Sequence, residues 1–131
     1  MVRSTVATRR VNLAASADGL AADHWALDGD WTREDQRAVL TGDAGAISYR
    51  FRGRDVHLVL ASTTGRPVRF RLTIDGEAPG AAAGEDVSAS GEGVIDGQRL
   101  YQLIRLPAPG EGVLRIEFLD EGAAAYAFTF G

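Results

Sequence analysis

The sequence predicts an all-β protein, a two-sheet antiparallel jelly-roll sandwich, on three observations. Apolar and polar residues alternate with period two through Ala46–Asp75 (AISYRFRGRDVHLVLASTTGRPVRFRLTID), the pattern of half-buried strands. Turn-forming residues break the chain into about eight or nine such runs. No amphipathic stretch of about ten residues reads as a helix. A long acidic excursion after Asp75 suits a connection that crosses between sheets.

In chain order, residues 1–10 read as a tail or linker remnant and residues 11–131 as a single sandwich domain. Val11, Leu13 and Ala15 alternate as a short edge strand. In HWALDGDW (His24–Trp31), Trp25 and Leu27 alternate before an Asp28–Gly29 turn. Thr32–Arg37 is charged and reads as a surface loop, and Ala38–Thr41 as a short strand turned by Gly42–Asp43. Ile47, Tyr49 and Phe51 then share one face, as do Val56, Leu58 and Leu60, and Val68, Phe70, Leu72 and Ile74. Gly53–Arg54 and Ser62–Pro67 are expected to fold these three strands onto one another as a meander.

Asp75–Gly97 holds six acidic and no basic residues and reads as a long loop with short strands near Val87 and Val94. Gln98–Leu106 (QRLYQLIRL) reads as a central strand burying Leu100 and Ile104, with a short helix as the competing reading. Pro107–Gly110 ends it, because proline cannot donate to a ladder. Leu114, Ile116 and Phe118 form a one-sided strand, and Asp120–Gly122 turns the chain into a last strand with Tyr126, Phe128 and Phe130 on one face.

At 131 residues the chain is large enough for one self-sufficient core. It has no cysteine, which removes disulfides and thiolate chemistry. A net charge of -4 argues against nucleic acid as a partner. All basic residues are arginine, an imprint of a GC-rich genome before it is a sign of function. No apolar run approaches the roughly 20 residues of a spanning helix, and no hydrophobic segment near Met1 reads as a signal peptide, so neither membrane insertion nor an export address is expected.

Catalysis has little support. His57 and Asp55 share a face, with no nucleophile evident beside them. Glu34–Asp35, Glu85–Asp86 and Asp120–Glu121 are sequence neighbours, whereas a glycosidase sets two carboxyls across a cleft. No cofactor is expected. Calcium is the alternative, on Asp28 and Asp30 or on Asp75, Glu77, Glu85 and Asp86, although neither set has the EF-hand spacing. The stronger candidate is a ligand-binding face. With the apolar parity inward, Arg50, Arg52, Arg69 and Arg71 point outward, joined by Tyr101 and Arg105 if Leu100 and Ile104 are buried. Arginine forks beside an aromatic ring suit a hydroxylated or carboxylated sugar. Trp31 is either a further stacking platform or a cap on the core.

WALDGDW, YRFRGRDVHLVL, VRFRLTIDG, RLYQLIR and IEFLDEGAAAYAFTFG together resemble the C-terminal domain of the DipZ family and related thioredoxin-like proteins, from about Val11 to Gly131. In that bacterial cell-envelope family, a membrane electron-transfer part and a thioredoxin-like domain precede a sandwich that resembles a carbohydrate-binding module. The resemblance implies that fold, an extracytoplasmic setting for the parent and a sugar-binding role. It does not carry redox activity onto this chain, which lacks the paired cysteines and reads as an excised domain or stand-alone relative. The expected function is a non-catalytic module for cell-envelope or other complex carbohydrate, appended to a thioredoxin-like domain. The alternative is a structural accessory that docks on and positions such a redox domain or its partners. A metal-assisted hydrolase ranks last.

Overall fold

The computed structural model describes residues 9–12 and 25–131. Seven strands make up most of it: β1 (Arg9–Asn12), β2 (Trp25–Arg33), β3 (Ala38–Ser62), β4 (Val68–Ile74), β5 (Glu92–Ile95), β6 (Arg99–Phe118) and β7 (Ala123–Phe130). Every pairing between them is antiparallel. The one helical element among the described residues is a 3-10 turn at Gly80–Ala82. The all-β expectation therefore holds. The strand order is β1-β7-β3-β6-β4-β5, with β2 also on β3. The strands form one continuous hydrogen-bonded sheet rather than two separate ones, because β3 and β6 each run through both halves of it.

Two expected turns turn out to be bends within long strands. Gly53–Arg54 does not reverse the chain, and β3 continues through it to Ser62. Up to Gly53, β3 pairs with β2 and the end of β6, its first residues Ala38 and Val39 also meeting β7; beyond Gly53, β3 pairs with the start of β6 and with β7. Gly53 sits at φ 150°, where a Cβ would lie 2.9 Å from the Gly131 oxygen. That oxygen accepts the backbone N–H groups of Arg54 (2.7 Å) and Asp55 (3.3 Å), and the Gly131 N–H returns a bond to the Asp55 carbonyl (3.1 Å). Gly131 thus satisfies the backbone groups that the bend frees.

Pro107–Gly110 likewise interrupts pairing without ending β6. Gly53 faces Gly110 and Asp55 faces Arg105, so Leu106–Pro109 bulge out opposite Arg54 and the prolines need donate nothing. As a result β4 pairs with β6 and β5, and the expected three-strand meander is not formed. Asp28–Gly29 and Gly42–Asp43, also expected as turns, lie inside β2 and β3, where the register slips between Gly29 and Trp31. The reversal falls instead at residues 34–37, closed by a Glu34 N–H bond to the Arg37 carbonyl (2.7 Å).

Toward the N-terminus, Arg9 and Arg10, expected in the tail, pair with Phe130 and Thr129. Leu13, Ala15 and His24 lie outside the described residues. Of the strands expected in the acidic excursion, the one near Val94 is β5; Val87 lies between the 3-10 turn and β5, with its side chain buried.

The core forms where the apolar faces of the two halves meet. Tyr49, from the half carrying β2, stacks on Phe128 of β7 with centroids 5.1 Å apart and planes 16° apart, and Phe130 lies 5.0 Å away. Ile47, Phe51, Leu58, Leu60, Phe70, Leu72 and Phe118 complete this interior, as their alternation predicts. The expected face of β7 is split. Leu58 and Leu60 face Phe128 and Ala125, so β7 carries an extra residue there, and Tyr126 leaves the side that holds Phe128 and Phe130.

Candidate functional site

The outward arginines have the expected parity but not the expected grouping. Arg50, Arg52, Arg69, Arg71 and Arg105 are all exposed. However, β6 lies between β3 and β4 and sets Glu111 opposite Arg52 and Glu117 opposite Arg71. Arg52 meets Glu111 at 3.5 Å, and Arg71 meets Glu92 at 3.8 Å. Arg69 is the most firmly held, its Nε and NH2 each donating to Asp120 at 2.9 Å while its backbone N–H donates to the same carboxylate. That fork holds the Asp120 pKa down at about 2. Arg105 lies in the other half, opposite Asp55 and 4.0 Å from it. Arg50 alone of the five has no ion pair or hydrogen bond among the described residues. Between Arg69 and Arg71, the exposed Val94 and Leu119 line a groove of about 520 Å³.

Tyr101 is not on this face. It is fully buried, because Val56 and His57 face Ile104 and Gln102, and the extra residue Leu103 changes the parity of β6. Leu100, expected inside, is 40% exposed. The Tyr101 hydroxyl donates to the Gly97 carbonyl (2.7 Å) and accepts from the Asp96 N–H (2.9 Å), while the Arg99 guanidinium lies 3.9 Å over its ring. Trp31 is half-buried, edge-on to Phe118 at 5.8 Å, with its indole N–H donating to the Asp28 carbonyl (2.7 Å). These contacts make it part of the core's edge.

His57 lies between Gln102 and Thr129 in register. Burial lowers its pKa, against the pull of Asp55 and Asp86 and with a smaller push from Arg105. Three of the residues expected as calcium ligands are engaged by other groups. Asp28 pairs with Arg115, Asp75 accepts the Val113 N–H, and Asp86 accepts from Arg99 and from the Gln102 N–H. Among the described residues no three acidic, histidine or cysteine side chains converge as a metal site.

The arrangement best suited to a small polar ligand lies elsewhere, at the β2–β3 reversal. Ala38 and Val39 pair with Ala125 and Ala124, which brings the reversal against Tyr126. Arg37 Nε donates to Glu34 Oε1 at 2.8 Å, and its NH1 reaches the Tyr126 hydroxyl at 3.4 Å. That hydroxyl lies 3.4 Å from the Gln98 side-chain oxygen. The Glu34 bond and then the Tyr126 bond raise the Arg37 pKa, so the guanidinium stays charged. Glu34, Asp35, Gln36, Arg37 and Tyr126 line an open cleft of about 600 Å³. Such a volume falls within the roughly 300–1,000 Å³ of small-ligand sites. An aromatic ring, a fixed cation, two carboxylates and one amide offer both stacking and bidirectional hydrogen bonding.

Comparison with known proteins places this geometry in context. The model of the thioredoxin-like C-terminal domain matches residues 4–131. The chain belongs to that family. Among curated proteins, none matches it. Solved structures share its fold at low identity. The C-terminal CBM6 of LamC, a marine laminarinase from Zobellia galactanivorans, has a TM-score of 0.56 at 13% identity, over 93% of this chain and 97% of that one. A family two carbohydrate esterase from Cellvibrio japonicus gives 0.69 at 14% identity over 94% of this chain and 33% of that one. Est2A, an acetyl xylan esterase from Butyrivibrio proteoclasticus, gives 0.63 at 11% identity over 93% and 31%. The chain thus spans about a third of the length of these esterases.

Proposed function

We propose that this thioredoxin-like C-terminal domain is a non-catalytic carbohydrate-binding module whose ligand lies against Tyr126. The observation that carries the reading is the cleft itself, where Tyr126 offers a ring, Arg37 reaches its hydroxyl, and Glu34, Asp35 and Gln36 offer further polar groups. The likeness to a CBM6 over nearly its whole length supports it. The outward arginines are the competing site, weakened because Arg52, Arg69, Arg71 and Arg105 already face carboxylates. A parent of the DipZ kind, with an extracytoplasmic setting, is part of the same proposal.

The test is a broad glycan panel with wild type, Tyr126→Ala and Arg50→Ala/Arg71→Ala, each checked for folding by circular dichroism. Wild type should bind, and Tyr126→Ala should weaken binding at least about tenfold, as loss of a central aromatic anchor does. Binding lost in the arginine variant and kept in Tyr126→Ala would move the site. Silence across the panel would remove the reading.

Exposed Val94 and Leu119, 45% and 44% accessible, favour a second reading, a docking face for a thioredoxin-like domain. Leu119→Asp should then abolish association with that domain while leaving glycan binding intact.

A further inference from the structure

We propose that the Tyr126 cleft takes uncharged saccharides and that Asp35 sets this preference by repelling anionic ones; this rests on the carbohydrate-binding reading above. Three charged side chains line the cleft: Glu34, Asp35 and Arg37. Arg37 is committed to Glu34 at 2.8 Å, so that pair is locally neutral. Asp35 is exposed and has no hydrogen-bond or ion-pair partner among the described residues. The lining therefore carries one uncompensated negative charge, and the whole chain carries -4.

The polar groups that remain suit hydroxyls. Asp35 and the second Glu34 oxygen accept, the Gln36 amide both donates and accepts, and the Arg37 N–H groups not used by Glu34 donate. A sugar hydroxyl both donates and accepts, so a neutral ring can satisfy acidic and basic rims together. A uronate brings an acceptor-only carboxylate to a place with no unpaired cation to receive it. Like charges about 4 Å apart in a water-like medium cost about fivefold in affinity. Added salt screens an exposed pair of this kind, so the preference should shrink with ionic strength.

The test compares sugars that differ only at C6. Mannopentaose and cellohexaose are titrated calorimetrically against their C6-oxidised uronate counterparts, with wild type, Asp35→Asn and Tyr126→Ala, at low and high salt. The expected result is at least one neutral ligand bound about fivefold or more tightly than its uronate form at low salt. That ratio should narrow at high salt and fall toward one in Asp35→Asn, and Tyr126→Ala should lose the neutral ligand. Uronates bound as tightly as neutral sugars, with Tyr126→Ala abolishing both, would overturn the selectivity while leaving the binding module standing. A ratio unchanged in Asp35→Asn would overturn the role of Asp35. If no ligand of either kind binds, the cleft as a sugar site falls with it.

Discussion

Arg37 reaches the hydroxyl of Tyr126 at 3.4 Å across 89 positions of sequence. The pairing of Ala38 and Val39 with Ala125 and Ala124 makes that approach, and the extra residue in β7 lets Tyr126 meet it from outside the core. One strand pairing, one ladder irregularity and one reversal thus assemble the cleft. At 3.4 Å the bond is long, so an incoming sugar hydroxyl displaces little by replacing it.

Gly53→Ala is predicted to destabilise the fold by about 1–3 kcal/mol, the cost of forcing a side chain into an unfavourable backbone region. Its φ of 150° and the 2.9 Å approach to the Gly131 oxygen both oppose a Cβ. Urea unfolding of the variant checks this; an unchanged midpoint would show that the bend relaxes freely.

Phe128→Ala should cost about 3–5 kcal/mol, because the ring is fully buried and stacks on Tyr49 across the two halves. Chemical denaturation measures it. A loss below about 1 kcal/mol would mean that the halves are not held together through these rings.

His57 makes stability depend on pH. Burial lowers its folded pKa below that of the unfolded chain, about 6.5, so the unfolded state binds the proton more readily. The stabilising contribution is full above about 6.5 and is lost as pH falls from there through the lower folded value. His57→Gln should flatten this part of the stability profile in denaturation series at several pH values. A slope that persists would assign it to other groups.

Asp120 acts at lower pH. The Arg69 bonds hold its folded pKa at about 2, below the unfolded carboxylate near 3.9, so their stabilisation is full above about 4 and lost as pH falls toward 2. Asp120→Asn should remove this acid sensitivity, read as the change in melting temperature between pH 5 and pH 2.5. Because the pair is exposed, the effect is small and salt-dependent.

Burial parity is legible in the sequence wherever strands are regular. Ile47, Tyr49 and Phe51, like Phe70 and Leu72, face the core as period-two alternation says. What escapes is wherever a ladder gains a residue. Leu103 is the extra residue that buries Tyr101 and exposes Leu100, and the extra residue in β7 takes Tyr126 out of line with Phe128. A bulge depends on the partner strand, so no local pattern announces it. Gly53 and Pro107 carried a true signal of irregular backbone that also fits a turn, and only the long-range contact with Gly131 decides for a bend. Arg37 gave no sign of its role, since its partner lies in the last strand.

The most direct test is a two-dimensional 15N–1H titration of the intact chain with mannopentaose and cellohexaose. The predicted result is saturable shifts confined to Glu34–Arg37, Gln98 and residues around Tyr126. Shifts centred on Arg69, Arg71 and Val94, or no shift with either sugar at the highest soluble concentration, would contradict the Tyr126 cleft as the site where this domain binds carbohydrate.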